Sequence, residues 1–280
     1  MTEKEIDNQI KNLQTVQNVT DVYQEVAAMR MRKVKTGIIQ NRDFYQKLLE
    51  IYLETQSCYK KTTRSDKKYV TEYSKNTNGK AVAVLLSSNT GLYGSVVNNT
   101  FNRFVEDTRN TTEDLVIVGQ LGKNRFEALA NQRPFKYFDL GDGVDNIDIQ
   151  IKPIFKYIAN YSKIAIYHGI FKNIVDQPVK VTKITEDIEQ ENTDDKSLSF
   201  LFEPSVDKVL KTFEEQLLYS FFDQSVYESA LSKYGARMLS LDVATQNVSK
   251  VLSQTKLIST KMKHRVQNKR QLESLKPWTN

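Results

Sequence analysis

The stretch Ser87-Ser88-Asn89-Thr90-Gly91-Leu92-Tyr93-Gly94, which follows the apolar run 81–86, is where this chain comes nearest to a phosphate-binding loop. Such a loop aims backbone N–H groups and a lysine at phosphate oxygens, which requires G-x-G-x-x-G or G-x-x-x-x-G-K-[ST]. Neither pattern is present, so a structural turn is expected. Asp139, Asp142, Asp145 and Asp148 recur every three residues, whereas a calcium loop needs ligands at alternate positions and a closing glutamate. Helix capping and a solvated loop are the expectation for them. His168 and His264 lie far apart, each without a Cys or His at metal-ligand spacing. Cys58 is the sole cysteine, which excludes an internal disulfide and a thiol-based zinc cluster. There is no G-x-S-x-G, and two histidines and one cysteine supply few nucleophile–base pairs. No catalytic residue, cofactor or metal ligand is assigned, and catalysis by this chain alone is not expected.

Basic residues gather in two places. Arg30, Arg32, Lys33 and Lys35 form a girdle beside Ala27 and Ala28, and Lys256, Lys261, Lys263, His264, Arg265, Lys269 and Arg270 follow near the other end. By pattern alone such a run is a solvated helix face. A basic helix can also track nucleic-acid phosphates, but the second cluster has no aromatic residue for stacking until Trp278 and spreads over several faces. No nucleic acid is expected as a partner. The net charge of +6 and pI near 9.1 suit an acidic partner without choosing one.

Two long elements must carry these residues. Residues 205–276 contain no proline and one glycine, Gly235. One apolar series runs Tyr227, Tyr234, Leu241, Val248, Thr255, Met262, and the other runs Leu231, Met238, Thr245, Leu252, Ser259, Val266. A sustained 3,4 spacing marks a helix wound left-handed on a partner helix. At 1.5 Å per residue the stretch predicts a rod of roughly 105 Å. The smaller side chains at Thr255 and Ser259 predict that the pairing loosens toward the basic tip. Residues 1–60 predict a second long amphipathic helix on Ile6, Ile10, Leu13, Val16, Val19, Tyr23, Val26, Val34, Ile38, Tyr45, Leu48 and Tyr52. Thr2 and Glu5 have the spacing of a capping box at its start.

Between the rods, 61–79 is polar and charged, a linker or loop. Beyond it the pattern predicts strands at 81–87, 115–119, 163–167, 179–185 and 198–202, with helices at 96–105, 123–131 and 149–160 and an acidic loop at 186–195. Pro204 closes the last strand and opens the final helix. The fold class is α/β: a small Rossmann-like domain with a largely parallel sheet, plus a long antiparallel coiled coil made by both chain ends. The domain boundaries are 1–60, 61–203 and 204–280. A hydrophobic content of 39% is low for a compact chain of 280 residues and agrees with exposed rods. No apolar run reaches the roughly 20 residues of a membrane span, and the polar, acidic start Met-Thr-Glu-Lys-Glu-Ile does not read as a targeting segment.

These residues bring a family into view. Ile10-Lys11, Thr20, Val26-Ala27-Ala28 and Met31-Arg32-Lys33 are similar to the first-helix segment of the gamma subunit, the central-stalk rotor, of F-type rotary ATP synthases. The loop 87–98, with Gly91-Leu92-Tyr93-Gly94, resembles that family's G-L-C-G-G-L-N, with Tyr93 and Ser95 in place of the Cys and second Gly. Phe202-Glu203-Pro204-Ser205 resembles the phrase that opens its final helix. Ala236-Arg237-Met238, Leu241, Ala244-Thr245 and Asn247 follow A-R-M-x-x-M-x-x-A-T-x-N. After Asn247 the chain departs from the family's R-Q-A-x-I-T and apolar terminus: it reads Thr260, then Lys263-His264-Arg265-Val266-Gln267-Asn268, and closes Lys276-Pro277-Trp278-Thr279-Asn280.

The resemblance implies a non-catalytic rotor shaft that couples ATP synthesis or hydrolysis to ion transport. Its partners would be alpha and beta catalytic subunits, one rotor per alpha3beta3 hexamer, with the epsilon subunit and the membrane c-ring at the foot. It implies a peripheral position on the cytoplasmic side of a bacterial membrane. It assigns partner contacts to Arg30, Arg32, Lys33, Lys35, Arg237, Lys263 and Arg265. The altered tip leaves open the rotor of an F-type-like paralogue powering another machine, such as gliding motility. The alternatives from other classes are a coiled-coil structural or tethering protein and a nucleic-acid-binding basic coiled coil.

Overall fold

The structure, a computed structural model, describes residues 2–63, 78–129, 133–143, 147–184 and 206–275. The expected strand at 198–202, the acidic loop 186–195, Pro204, Asp145, most of the 61–79 linker, the side chain of Cys58 and the terminus 276–280 lie outside the described residues.

In chain order the elements are α1 (Glu3–Thr63), β1 (Ala81–Leu86), α2 (Val96–Thr108), β2 (Asp114–Val118), α3 (Gln120–Glu127), β3 (Phe135–Phe138), α4 (Ile147–Ile158), β4 (Lys163–Gly169), β5 (Val179–Lys183) and α5 (Val206–Leu275). Contacts divide the chain into two compact units, one of Met1–Ala28 with Arg237–Asn280 and one of Met29–Ala236. Each of the two long helices contributes to both.

The Met29–Ala236 unit is built on a five-stranded sheet in the order β3-β2-β1-β4-β5. The first four strands are parallel, and β5 returns antiparallel to β4. The central strand β1 reads Ala-Val-Ala-Val-Leu-Leu because both of its faces are covered. On one face Val82, Val84, Val116, Val118, Ile164 and Ile166 meet Ile151, Ile154 and Ile158 of α4 and Leu218, Phe222 and Val226 of α5. On the other, Ala83, Leu85, Leu115 and Ile117 meet Phe101 and Phe104 of α2 and Phe126 of α3. The alternation is the period-2 pleat of a strand. The strand β3 is missing from the sequence expectation: Phe-Lys-Tyr-Phe is four residues long and only half-buried at the sheet edge.

In the same unit α1 lies antiparallel against α5. Val34 packs with Leu231 and Tyr234, Tyr45 meets Phe221 edge-on at 4.7 Å, and the Tyr52 hydroxyl donates to Glu214 Oε1 at 3.1 Å. Partner numbers fall in α5 as they rise in α1, so the chain direction is reversed.

The Met1–Ala28 and Arg237–Asn280 segments form a second antiparallel pair. Gln17 Nε2 donates to Ser249 Oγ at 3.0 Å, Thr245 Oγ1 to Asp21 Oδ1 at 3.3 Å, and Lys263 lies 3.9 Å from Asp7. The capping box forms in both directions: Glu5 N–H donates to Thr2 Oγ1 at 3.3 Å, and Thr2 N–H donates to Glu5 Oε2 at 2.8 Å.

All twelve heptad positions expected in α5 are buried or half-buried. The α1 stripe needs correction. Val16, Val19 and Tyr23 are about half exposed, at 49%, 49% and 53%. The covered series is Ile6, Ile10, Leu13, Gln17, Thr20, Gln24, Ala27, Met31, Val34, Ile38, Asn41, Tyr45, Leu48, Tyr52 and Thr55. This is an unbroken 3,4 alternation, and following apolar residues alone misses its polar members. Thr255 and Ser259 are each only 6% exposed, so their small side chains leave the pair closed at those positions.

Candidate functional site

Strand order reverses between β1 and β4, and in open parallel sheets of this kind ligands bind beyond the strand C-termini at that reversal. Here α5 fills the place. Lys233 Nζ donates to the Ser87 carbonyl at 2.5 Å. A Cβ on Gly169, the last residue of β4, would stand 2.6 Å from Ser232 Oγ, so glycine is what lets the helix approach. The Tyr234 hydroxyl donates to the Asp142 carbonyl. What remains between Leu86, Tyr93, Asp142, Ser229 and Lys233 is a cavity of about 20 Å³, the space of a single water and too small for a phosphate group.

Desolvation lowers the Lys233 pKa to about 8, opposed by the charge of Asp142. His168 sits nearby on β4, fully buried. Its Nε2 lies 2.9 Å from Thr182 Oγ1 and its Nδ1 3.2 Å from the Gly169 carbonyl. Burial drives its pKa down to about 4, against the pull of Glu228, so it is neutral near pH 7. Lys233 and His168 are thus packed and hydrogen-bonded into the domain: of the structural and surface roles open to an isolated histidine, His168 has the structural one, and no local pattern marks Lys233.

The loop after β1 is a structural turn, as expected, but the aspartates around it do more than cap helices or meet solvent. Asp142 accepts from Asn89 N–H at 3.0 Å, from Thr90 N–H at 2.6 Å and from Thr90 Oγ1 at 2.6 Å. Asp139 accepts from Asn89 Nδ2 at 2.7 Å. Held this way, the loop carries Leu92 at φ 67, left-handed for a residue with a side chain, at a cost of about 1 kcal/mol. Among the described residues no group of three His, Cys, Asp or Glu is placed to hold a metal. A larger cavity, about 520 Å³, lies beside the start of β2, floored by Leu115 and Phe126. Arg133 at its wall donates to the Thr108 and Glu113 carbonyls and braces the loop between them.

The sequence-selected basic residues fall into three settings. Arg30, Arg32, Lys33 and Lys35 are all exposed along α1 in the Met29–Ala236 unit, bracketing the fully buried Val34. Arg237 is half-buried and belongs to the other unit. Lys263 and Arg265 are exposed on α5, with Lys263 beside Asp7. In the unit that holds Arg237, Val16, Val19, Val22 and Tyr23 of α1 and Val243, Val251, Leu257 and Ile258 of α5 are exposed apolar residues. An antiparallel pair whose inner stripe is partly polar and whose outer surface is partly apolar is suited to contact with another surface.

The family model described as ATP synthase matches residues 2–266. The chain belongs to that family. Relatives include an ATP synthase gamma chain of Clostridium perfringens, 27% identical over 261 residues, covering 89% of this chain and 87% of its own. Another is the ATP synthase gamma chain of Buchnera aphidicola, 24% identical over 285 residues, with 93% and 91% covered. Among solved structures, a chain from the central stalk and c-ring of the Tetrahymena thermophila mitochondrial ATP synthase has 19% identity and a TM-score of 0.54, over 81% of this chain and 99% of that one. It agrees in fold: a mixed α/β domain carried with a long C-terminal helix. A match of this extent favours a component of ATP synthase over the tethering protein, the repurposed paralogue and the nucleic-acid binder. No helix among the described residues is long and apolar enough to cross a membrane.

Proposed function

We propose that this chain is the central rotor shaft of an ATP synthase, the gamma subunit, and that it performs no chemistry itself. The observation that carries the reading is the family match over residues 2–266. The filled crevice at the end of β1 supports the non-catalytic part, because the place where a doubly wound sheet would take a nucleotide is closed by Ser232, Lys233 and Tyr234.

In this reading the alpha and beta subunits surround the paired helices, one rotor to a hexamer, and the α/β domain meets the epsilon subunit and the c-ring at the cytoplasmic face of the membrane. The division into 1–60, 61–203 and 204–280 describes these working parts. Two intertwined helices supply torsional stiffness. A surface that differs on its three sides favours a different conformation in each catalytic site, and linkage makes the effect reciprocal: hydrolysis turns the shaft, and forced turning changes nucleotide affinity. A shaft must also pass successive partners without sticking, which suits shallow aliphatic contacts and solvated charges better than deep aromatic anchors. The exposed valines of α1 and α5 and the girdle Arg30, Arg32, Lys33 and Lys35 fit that demand, with the cations, together with Arg237, Lys263 and Arg265, facing acidic loops of the hexamer.

The test is reconstitution. The chain alone should neither bind nor hydrolyse ATP, and should copurify with nucleotide-binding subunits at one copy per six. Replacing Arg30, Arg32, Lys33 and Lys35 by Glu should leave the chain's circular dichroism unchanged and lower the hydrolysis rate of the assembled hexamer at least tenfold. Appreciable ATPase activity of the purified chain, or full activity of the charge-reversed assembly, would contradict the proposal.

A further inference from the structure

Asn41 of α1 and Asp223 of α5 meet inside the Met29–Ala236 unit, where Asn41 Nδ2 donates to Asp223 Oδ2. The other oxygen of each group, Asn41 Oδ1 and Asp223 Oδ1, is buried without a hydrogen-bond donor, and Asp223 as a whole is 8% exposed. Buried acceptors left unpaired on the two partners of one contact are costly. A single proton resolves both, because a carboxylic acid has one O–H to donate. With the proton on Asp223 Oδ1 and Asn41 Oδ1 accepting from it, acid and amide close a ring of two hydrogen bonds.

We propose that Asp223 is a proton-operated clasp between α1 and α5, closed on Asn41 in its acid form and reduced to one bond and a buried anion when the proton leaves.

The surroundings favour the acid form. From α1 come Asn41 and Tyr45, the latter with its ring edge-on to Phe221. From α5 come Tyr219 and Tyr227, whose phenols are pushed up to about 12 by burial and then by Asp223 and Asp148, so they stay neutral where Asp223 titrates. From the first turn of α4 comes Asp148, a like charge. Burial first and Asp148 second push the Asp223 carboxyl up to about 7, against the Asn41 hydrogen bond. A folded-state value above the unfolded one means that the clasp's contribution is complete below the ordinary carboxylate range and is lost as pH rises through about 7. The inference does not depend on the rotor reading, since it concerns only how this chain holds its own two helices.

The experiment is a carboxyl-carbon NMR titration of the full chain labelled at aspartate, with thermal unfolding measured alongside from pH 5.5 to 8.5. One aspartate carbon should titrate near 7, protonated about tenfold over ionised at one pH unit below its midpoint. The Asp223 contribution to the melting temperature should fall between pH 5.5 and about 7 and be level above it. Asp223→Asn, which keeps two amide hydrogen bonds at every pH, should remove that carbon signal and that fall. Asn41→Leu should lower the melting temperature more at pH 6 than at pH 8.5. The proposal is overturned if every aspartate carbon is ionised by pH 5.5, or if Asp223→Asn shows the unsubstituted chain's slope. The titration of the unsubstituted chain decides the matter even if a variant fails to fold.

Discussion

Asp142 ties a loop to a domain through three donors on two residues, Asn89 N–H, Thr90 N–H and the Thr90 hydroxyl. Hydrogen bonds to an ionised group contribute more than neutral ones, so Asp142→Ala should cost about 2 kcal/mol in urea unfolding. The sharper readout is amide exchange. Protection at Asn89 and Thr90 should fall well before global unfolding, and unchanged protection would mean that the loop is held by something else. The spacing of Asp139 and Asp142 was visible in the sequence, but their partners lie some fifty residues away, and nothing in a local pattern encodes a contact of that reach. His168 offers a second test. Its folded value of about 4 lies below the ordinary 6.5, so the fold is stable above pH 6.5 and loses stability as pH falls from there toward 4. His168→Phe should be less stable at pH 7, because it leaves the Thr182 hydroxyl without its partner, yet its melting temperature should change less between pH 6.5 and 4. This window lies inside that of Asp223, which runs from the ordinary carboxylate value up to about 7, and the two slopes have opposite sign.

The elements were the most legible level, for a physical reason. Short continuous apolar runs such as 81–86 and 164–167 and the 3,4 series of α5 are imposed by burial along a whole element, and no single residue can hide them. Where polar side chains occupy core positions the signal fades: Gln17, Thr20, Gln24 and Asn41 keep the α1 heptad but not its hydrophobicity, and the eye moves to Val16, Val19 and Tyr23 on the neighbouring face. The four residues of β3 are too few to show a period. Gly235 stood out in the sequence only as the lone glycine of a long helix. The structure gives the reason, since a Cβ there would lie 2.7 and 2.8 Å from the Phe171 ring. Gly235→Ala gains about 1 kcal/mol of helix propensity but must push the ring aside, at about 1–3 kcal/mol. A net loss near 1 kcal/mol is expected in denaturant unfolding. Phe171→Leu in the same chain should make the alanine favourable again; if Gly235→Ala alone is stabilising, the ring is not what the glycine accommodates.

At the scale of the molecule, the question is whether a pair with polar contacts at its centre works as one body. In the unit formed by Met1–Ala28 and Arg237–Asn280, the inner stripe includes Gln17 on Ser249, Thr245 on Asp21, and the buried Thr20, Thr255 and Ser259. A stripe of this kind specifies register through hydrogen bonds at the expense of apolar burial. Each such contact contributes only about 1 kcal/mol, so the pair is held by many small terms and is open to reinforcement. If both helices turn together as a shaft, joining them covalently leaves rotation intact. Gln17→Cys with Ser249→Cys, in a chain whose Cys58 is replaced by Ser, should be joined by a short, disulfide-containing thiol crosslinker that spans what the Gln17 side chain spans in its 3.0 Å contact. The crosslinked chain should melt higher than the reduced one. In the hexamer assembly proposed for it, the crosslinked chain should support ATP hydrolysis at a rate within twofold of the reduced assembly, and dithiothreitol should not change that rate. A large, reductant-reversible loss of activity would mean that the two helices must move against each other during turnover, and the shaft would then have to be treated as two elements with separate motions.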